Sequence, residues 1–499
     1  MIEMTVAQVA DIVGGELADI SAADAANTRI TGTVEFDSRA VTPGGLFLAL
    51  PGARSDGHDF AAGAVAAGAV AVLAARPVGV PAIVVPPAVA GDAGSGAVEH
   101  DDAAGSGAAV LAALAKLAAA VATELSAAGL RIIGVTGSSG KTSTKDLLAA
   151  VLAPLGEVVA PPGSFNNELG HPWTVLRATT DTDFLILEMS ARHPGNIAAL
   201  AAIATPSIGV VLNVGTAHLG EFGSREVIAA TKSELPQSVP ASGVVILNAD
   251  DSAVSAMAEK TSARVVRFSR APGADIWSAD EHLDELARPR FTLHTAAGAV
   301  QVALAVHGEH QVSNALAAAA VAVECGASLE QVATALAGAG PVSARRMNVS
   351  TRADGVTVVN DAYNANPDSM AAGLKALAWM ARAGGQGGRR RSWAVLGEMA
   401  ELGEDAIAEH DRIGRLAVRL DVSRLIVVGT GRAMSAMHQG AVMEGSWGSE
   451  SVLVPDADAA LALLAAELSP GDVVLVKASN AAGLGTLADR LAEQGDEQA

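Results

Sequence analysis

The stretch GVTGSSGKTSTKD, Gly134 to Asp146, limits what this chain can fold into more than any other. A β-rich run, Leu130 to Val135, leads into glycines and serines, then Lys141-Thr142, then a helical pattern from Asp146 to Leu152. Strand, loop and helix in that order make a phosphate loop. Its backbone N–H groups and the helix N-terminus offer a concave set of donors to anionic oxygens. Lys141 is placed to reach the β- and γ-phosphates of a nucleotide, and the Thr142 hydroxyl to face Mg²⁺. The loop takes the short form TGSSGKT, Thr136 to Thr142, because Val135 stands where the longer G-x-x-x-x-G-K-[ST] pattern has glycine.

The rest of the chain is organised around that loop. Short apolar runs at Arg131 to Val135, Phe184 to Leu187, Ile208 to Leu212 and Val244 to Leu247 alternate with helical stretches, which predicts a mainly parallel sheet. Each run is followed by polar residues: Glu188 after the second, Asn213 to His218 after the third, Asn248 to Asp251 after the fourth. Open α/β sheets bind ligands at the carboxyl ends of their strands. With 499 residues, about three domains are expected. Residues 1–105 read as a small α/β domain containing a flexible Gly/Ala/Asp-rich loop at 91–107. Residues 106–340 read as the central phosphate-loop domain, opened by an Ala/Leu helix from Ala108 to Ala128. Residues 341–499 repeat the strand–helix alternation (Val356 to Val359, Trp393 to Leu396, Leu425 to Val428, Val452 to Val454, Val473 to Val476) and read as a Rossmann-like domain. That domain lacks the third glycine of a dinucleotide fingerprint after Gly429-Thr430-Gly431, so NAD is not expected. The run AGGQGGRRR, Ala383 to Arg391, reads as a solvated surface loop.

Composition narrows the partners. A formal charge of −21 argues against nucleic acid or an anionic membrane. It leaves room for a small anionic substrate held by a local basic site. The opening run MIEMTVAQVADIVGG has neither a basic start nor an apolar core, and the most apolar run, Ala315 to Val323, is too short to span a bilayer. A cytoplasmic protein without membrane insertion is expected, as a monomer. The one cysteine, Cys325, lies in an Ala/Val-rich helical run and reads as buried core.

Several polar clusters are candidates for chemistry. Glu188, at the tip of a buried strand beside a phosphate loop, is where a Mg²⁺ ligand is needed. His218 is either structural or a second-ion ligand. Lys232, on a predicted helix, reads on physical grounds as a surface lysine. Ser164-Phe165-Asn166-Asn167 suits substrate or phosphate contacts and equally suits a turn. VNDAYNANPDSM, Val359 to Met370, packs three Asn and two Asp around the single tyrosine, Tyr363. Arg345-Arg346 at the second domain junction is either a phosphate clamp or a solvated linker charge. Asp37-Ser38-Arg39 and Gly57-His58 could hold a diphosphate or sugar.

Taken together, these motifs resemble the Mur ligase family along nearly the whole chain: FDSR, PGGLFLAL and GARSDGH in the first domain; TGSSGKT, SFNNELGHP, KSE and GEHQVSNALAA in the second; DAYNANPDSM, VLGEMAELG and VKAS in the third. DAYNANPDSM with VLGEMAELG points to the branch that adds D-alanyl-D-alanine. The resemblance implies an ATP-dependent amide ligase that activates the carboxylate of a UDP-N-acetylmuramoyl-tripeptide as an acyl phosphate. It implies nucleotide contacts at Gly137, Ser138, Ser139, Gly140, Lys141, Thr142, Asn314, Arg346, Asp361 and Asn364. Mg²⁺, as two ions, falls to Thr142, Glu188, His218 and Lys232, with Lys232 carbamylated and Lys141, Lys232 and His218 catalytic. The UDP substrate falls to Ser38, Arg39, Asn166 and Asn167. Gln311 replaces the asparagine that related ligases often carry after the histidine. LEMSARHPGNI and AHLGEFGS also depart from the usual wording, near the dipeptide site. A sister ligase adding another amino acid and a non-catalytic nucleotide-binding protein are the alternatives.

Overall fold

In the computed structural model, residues 1–52, 55–86, 102, 105–215, 219–383, 388–445 and 448–493 are described. The expected loop at 91–107 lies mostly outside them. Its last residues, Ser106 and Gly107, are already the first turn of the helix Ser106–Ala127.

The chain builds three main sheets. Five strands, Glu16–Ala18, Ala82–Val84, Ala69–Ala74, Gly45–Leu48 and Val34–Glu35 in spatial order, form the first. Only its Glu16–Ala18 edge is antiparallel. The second sheet has nine strands. Val158–Val159, Phe184–Glu188, Arg131–Thr136, Ile208–Val211, Val244–Asn248, Arg264–Ser269 and Ile276–Leu283 run parallel in that spatial order. Pro289–Thr295 and Gly298–Ala303 then continue it antiparallel. The third sheet has six strands, five of them parallel, with Asn348–Thr351 antiparallel at its edge. The α/β architecture in three parts is as expected, and in the central sheet the strands between residues 264 and 303 are ones that the apolar runs did not announce.

The central strands read as unbroken apolar runs because helices cover both of their faces. Successive side chains alternate faces. Ile132, Leu185, Leu187 and Leu247 pack with Leu114 and Val121 of the helix Ser106–Ala127. Ile133, Val135, Ile186 and Ile246 pack with Leu148 and Leu316 on the opposite side. The first of these cores also contains Leu48, Leu73 and Ile83 of the first sheet. Helix Ser106–Ala127 therefore joins the first and second sheets through one apolar core, with no hydrophobic break near residue 105. Among the described residues it is the one helix long and apolar enough to cross a membrane, a feature not expected from the run Ala315 to Val323, and half of that stretch is buried inside the protein.

An aromatic cluster completes the first junction. Trp173 lies 4.8 Å from Phe165 and 5.6 Å from Phe36 between ring centroids, and its Nε1 donates to Val34 O at 2.8 Å. The second junction is closed at two places. Ala287, at the turn after Ile276–Leu283, is fully buried among Met347, Leu374 and other residues of the third unit's core, and Trp379 Nε1 donates to Asp284 O at 2.8 Å. On the other side Gly220 and Gly403 meet so closely that a Cβ on either would come within 2.7 Å of backbone atoms of the other.

Two local expectations are corrected. Cys325 is half-buried at the C-cap of the helix Gln311–Glu324, not in its interior, and burial pushes its thiol pKa up. Residues 384–387 of the Gly/Arg run lie outside the described residues, but its arginines are not a solvated loop. Arg390 donates to Thr357 Oγ1 at 2.7 Å, and Arg391 pairs with the buried Asp472 at 2.7 Å. Both tie the strand ends of the third sheet together.

Trp173→Ala should lower stability by about 3–5 kcal/mol, the usual cost of deleting a buried aromatic side chain. Urea unfolding reads this directly; a loss below about 0.5 kcal/mol would show that the cluster does not hold the junction.

Candidate active site

The strand Arg131–Thr136 delivers the phosphate loop to the carboxyl edge of the central sheet. The helix begins at Lys141, five residues earlier than its apolar pattern suggests, because Gly140 caps it with φ 82°. A non-glycine residue is strained there, and a Cβ would also meet Asn314 Oδ1 at 2.6 Å. Neighbouring strand ends brace the loop. Ser139 N donates to Asn213 Oδ1 at 2.9 Å, and Gly215 N donates to Ser138 Oγ at 2.9 Å.

A cavity of about 920 Å³ opens over the loop, between the central and third units. It gathers Ser138, Ser139, Gly140, Lys141, Thr142, Glu188, Asn166, Asn167, Asn314, Arg346, Asp361 and Asn364. Twelve expected site residues, scattered over more than two hundred positions of sequence, therefore share one space. Gly137 lies behind it, where its carbonyl accepts from Lys141 Nζ at 2.7 Å. Ser38 and Arg39 do not line the cavity. They sit on the turn after Val34–Glu35, where Arg39 forms a forked pair with Asp37 at 2.7 and 2.9 Å and holds that carboxyl at about 2. The aromatic cluster links this turn to the Asn166-Asn167 loop, since Phe36 precedes Asp37 and Phe165 precedes Asn166. His218 lies outside the described residues.

Glu188 anchors the polar network. It is 1% exposed, and its Oε2 accepts from Thr142 Oγ1 at 3.3 Å and Asn166 Nδ2 at 3.4 Å. Its Oε1 is buried with no hydrogen-bond partner. Burial pushes its pKa up, opposed by the positive charges of Lys141 and Arg346. Ser164 carries the network to the third unit: its Oγ lies 2.7 Å from Thr142 Oγ1 and accepts from Arg346 Nη2 at 2.9 Å. Arg346 also stacks on Tyr363, 4.3 Å from the ring centroid. Arg345 and Met347, on either side of it, adopt left-handed backbone with φ 59° and 53°. Arg346 is thus held by side-chain contacts across the junction and is not a solvated linker charge.

Lys232 corrects the physical reading of its sequence. It ends the helix Arg225–Lys232, is 6% exposed, and makes no hydrogen bond or ion pair among the described residues. Burial, reinforced by the charge of Lys141, pushes its pKa well below the usual lysine value. The residues fit a divalent cation in one respect: Glu188 Oε1 is an orphaned hard oxygen, with the Thr142 hydroxyl beside it. A buried amine whose pKa is pushed down fits the conversion of Lys232 into an anionic oxygen donor.

Lys477, at the end of the strand Val473–Lys477, is a site residue that the motifs did not mark out individually. It is 2% exposed and pairs with Asp361 at 2.7 Å, and its Nζ donates to Asn364 O at 2.8 Å. Asp361 Oδ1 in turn accepts from Met347 N at 3.1 Å. The signal was its place in the VKAS run, a lysine directly at the tip of an apolar strand.

Mur ligase middle-domain, glutamate-ligase-domain and catalytic-domain families match residues 135–322, 345–480 and 31–122. The chain is also 74% identical to the UDP-N-acetylmuramoyl-tripeptide–D-alanyl-D-alanine ligase of Mycobacterium tuberculosis, over 98% of both chains. It belongs to the Mur ligase family. Among solved structures, MurF from Acinetobacter baumannii superposes with a TM-score of 0.81 at 30% identity, covering 98% of this chain and 99% of that one. MurF from Thermotoga maritima, in complex with ADP, gives 0.74 at 28% identity, covering 94% and 99%.

Beneath Glu188, His171 in the helix Gly170–Val175 is fully buried, with both ring nitrogens unpartnered. The Glu188 and Leu200 carbonyls face the ring without completing hydrogen bonds, and burial lowers its pKa from 6.5 to about 4. The unfolded chain therefore binds the extra proton first as pH falls. Stability should drop between pH 6.5 and 4, by on the order of 3 kcal/mol, and level off below. His171→Met should flatten that part of the melting-temperature profile; parallel profiles for the two proteins would contradict it.

Proposed function

We infer that the chain is an ATP-dependent amide ligase that joins D-alanyl-D-alanine to UDP-N-acetylmuramoyl-tripeptide, in the cytoplasm and as a monomer, in the synthesis of peptidoglycan. The Mycobacterium tuberculosis relative carries that name, and the match covers 98% of both chains. The observation that carries the chemistry is the orphaned Glu188 oxygen beside Thr142, in the same cavity as Lys141 and the third unit's Arg346, Asp361 and Lys477.

A carboxylate is a poor electrophile, and phosphorylation converts it to one. The tripeptide carboxylate attacks the γ-phosphorus of ATP, ADP leaves, and the acyl phosphate forms. The dipeptide amine adds to its carbonyl carbon, loses a proton, and phosphate departs from the tetrahedral adduct. Little covalent work falls to the protein in such a transfer; it positions the reactants and neutralises charge. Lys141 swings from the Gly137 carbonyl to the transferred phosphoryl group. Gly137, Ser138, Ser139 and Gly140 present backbone and hydroxyl donors to the phosphates. Asn314, whose Nδ2 donates to Gln311 Oε1 at 2.9 Å, borders the nucleoside side together with Arg346, Asp361 and Asn364. The Gln311 replacement leaves an amide there that holds Asn314 in place.

Thr142 and Glu188 would hold one Mg²⁺, and His218 with carbamylated Lys232 the second. Bound there, the ions supply neutralisation of the phosphate oxygens. Lys232 reaches that state when its neutral amine adds to CO₂, forming an N–C bond and releasing one proton. Residues 1–105, through Ser38 and Arg39, hold the UDP end, with Asn166 and Asn167 along its path. Residues 106–340 hold ATP, and residues 341–499 close on it and receive the dipeptide.

Phosphate release should require both UDP-muramoyl tripeptide and D-alanyl-D-alanine. Release with a diamino acid instead of the dipeptide would move the chain to a sister branch, and nucleotide binding without any amide product would make it a binder. Lys141→Ala should cut turnover by about 10³-fold or more; near-normal kcat would remove Lys141 from the mechanism. Lys232→Ala should be inactive and partly rescued by added small carboxylates, whereas unchanged activity would reject its modification.

A further inference from the structure

The lysine and arginine side chains lining the cavity are Lys141, Arg192, Arg270, Arg346 and Lys477. Four are committed to the protein or to the phosphate loop. Lys141 lies on Gly137 O, and Lys477 is buried against Asp361. Arg346 is held by Ser164 and Tyr363. Arg270 is gripped by both Glu281 and Glu309.

Arg192 is different. Its side chain is 61% exposed, and its guanidinium makes a single hydrogen bond, 3.2 Å, to Glu401. The bond crosses the cavity mouth, from the loop after the strand Phe184–Glu188 to the loop after the strand Ser392–Leu396 of the third unit. An exposed pair of this kind contributes about 0–1 kcal/mol, so another carboxylate can displace Glu401 at little cost. The backbone that presents Arg192 is rigid by contrast. Asn196 Oδ1 accepts from Arg192 N at 3.1 Å and His193 N at 2.9 Å, and Glu234 accepts from Gly195 N at 2.6 Å and Ala198 N at 3.0 Å. Glu401 sits in left-handed backbone, φ 63°.

We propose that Arg192 recognises a carboxylate of the peptide substrates, and that Glu401 is the internal carboxylate it exchanges for the substrate's. A guanidinium fork suits a planar carboxylate. The geometry allows it. An extended dipeptide spans about 7 Å from amine to carboxylate. Arg192 lies four residues past Glu188, at most about 14 Å of chain, and its own side chain closes part of that gap. Two carboxylates could reach it: the C-terminus of D-alanyl-D-alanine, or the side-chain carboxylate of a diaminopimelate at the third position of the acceptor peptide, which a lysine there would lack.

The proposal rests on the amide-ligase reading; a wild-type chain releasing no phosphate with any of these peptides would sink that reading, while the comparison below needs wild-type turnover and tests Arg192 alone. Steady-state kinetics would be run on wild type, Arg192→Gln, Arg192→Lys and Glu401→Gln, varying the dipeptide and then tripeptides ending in diaminopimelate or lysine. Arg192→Gln should raise one KM by about tenfold, the loss of one charge-assisted contact, with kcat and melting temperature close to wild type and partial recovery in Arg192→Lys. Glu401→Gln should leave that KM unchanged or lower it. A rise for the dipeptide identifies its terminus as the ligand; a rise confined to the diaminopimelate tripeptide identifies that side chain. The proposal is overturned if Arg192→Gln moves no KM, if it lowers kcat alone, or if Arg192→Gln and Glu401→Gln raise KM alike, which would make the pair a latch between the two units.

Discussion

The structure depends on the burial of one carboxylate and one lysine at the edge of the central sheet, with a second, half-buried lysine beside them. Glu188, Lys141 and Lys232 meet there, and no direct ion pair joins them. Desolvating charged groups without pairing them is costly, and natural proteins keep such arrangements where the charge has work to do. The cost is met by the rest of the fold: two apolar cores clamp the strands that carry the groups, and neutral hydrogen bonds from Thr142 and Asn166 satisfy only half of the Glu188 carboxylate. What remains is an orphaned carboxylate oxygen and an amine whose pKa is pushed down, which suits the proposed completion of the site by phosphates and hard cations.

Around this centre the three units play different parts. The first is fused to the second through the shared core and the Phe36, Phe165 and Trp173 cluster, so the turn bearing Ser38 and Arg39 keeps a fixed relation to the Asn166 loop. The third touches the second through Ala287, Arg346 and the Gly220–Gly403 approach. Arg346 reaches Thr142 through a single serine, so the segment joining the two units ends within two hydrogen bonds of the phosphate loop. Lys477 and Asp361 brace the same segment from the other side through Met347. Movement of the third unit would therefore be felt directly at the phosphate loop.

The order of strand, loop and helix was legible in the sequence because parallel strands covered on both faces must be continuous apolar runs. Glu188 was legible for the same reason: a carboxylate at the tip of such a run has few other uses. The strands between residues 264 and 303 were not, since their half-exposed faces mix polar residues into the pattern. The burial of Lys232 was invisible because its helix is polar in composition, and only the fold reveals that its last turn points inward. Arg390 and Arg391 looked solvated in a glycine-rich run, but their partners, Thr357 and Asp472, are far away in sequence. The roles proposed for Lys232 and for the turn bearing Ser38 and Arg39 come from resemblance to a family and not from residue chemistry.

On the proposed function, the site around the buried Glu188 and the half-buried Lys141 activates a carboxylate by moving a phosphoryl group onto it. The direct measurement is isotope transfer. UDP-muramoyl tripeptide labelled with oxygen-18 in its terminal carboxylate would be turned over with ATP and D-alanyl-D-alanine, and the products weighed by mass spectrometry. Activation as an acyl phosphate predicts one oxygen-18 in each inorganic phosphate, one retained in the new amide, and none in ADP. Unlabelled phosphate, formed by attack of water on ATP while the peptide keeps both labels, would contradict it.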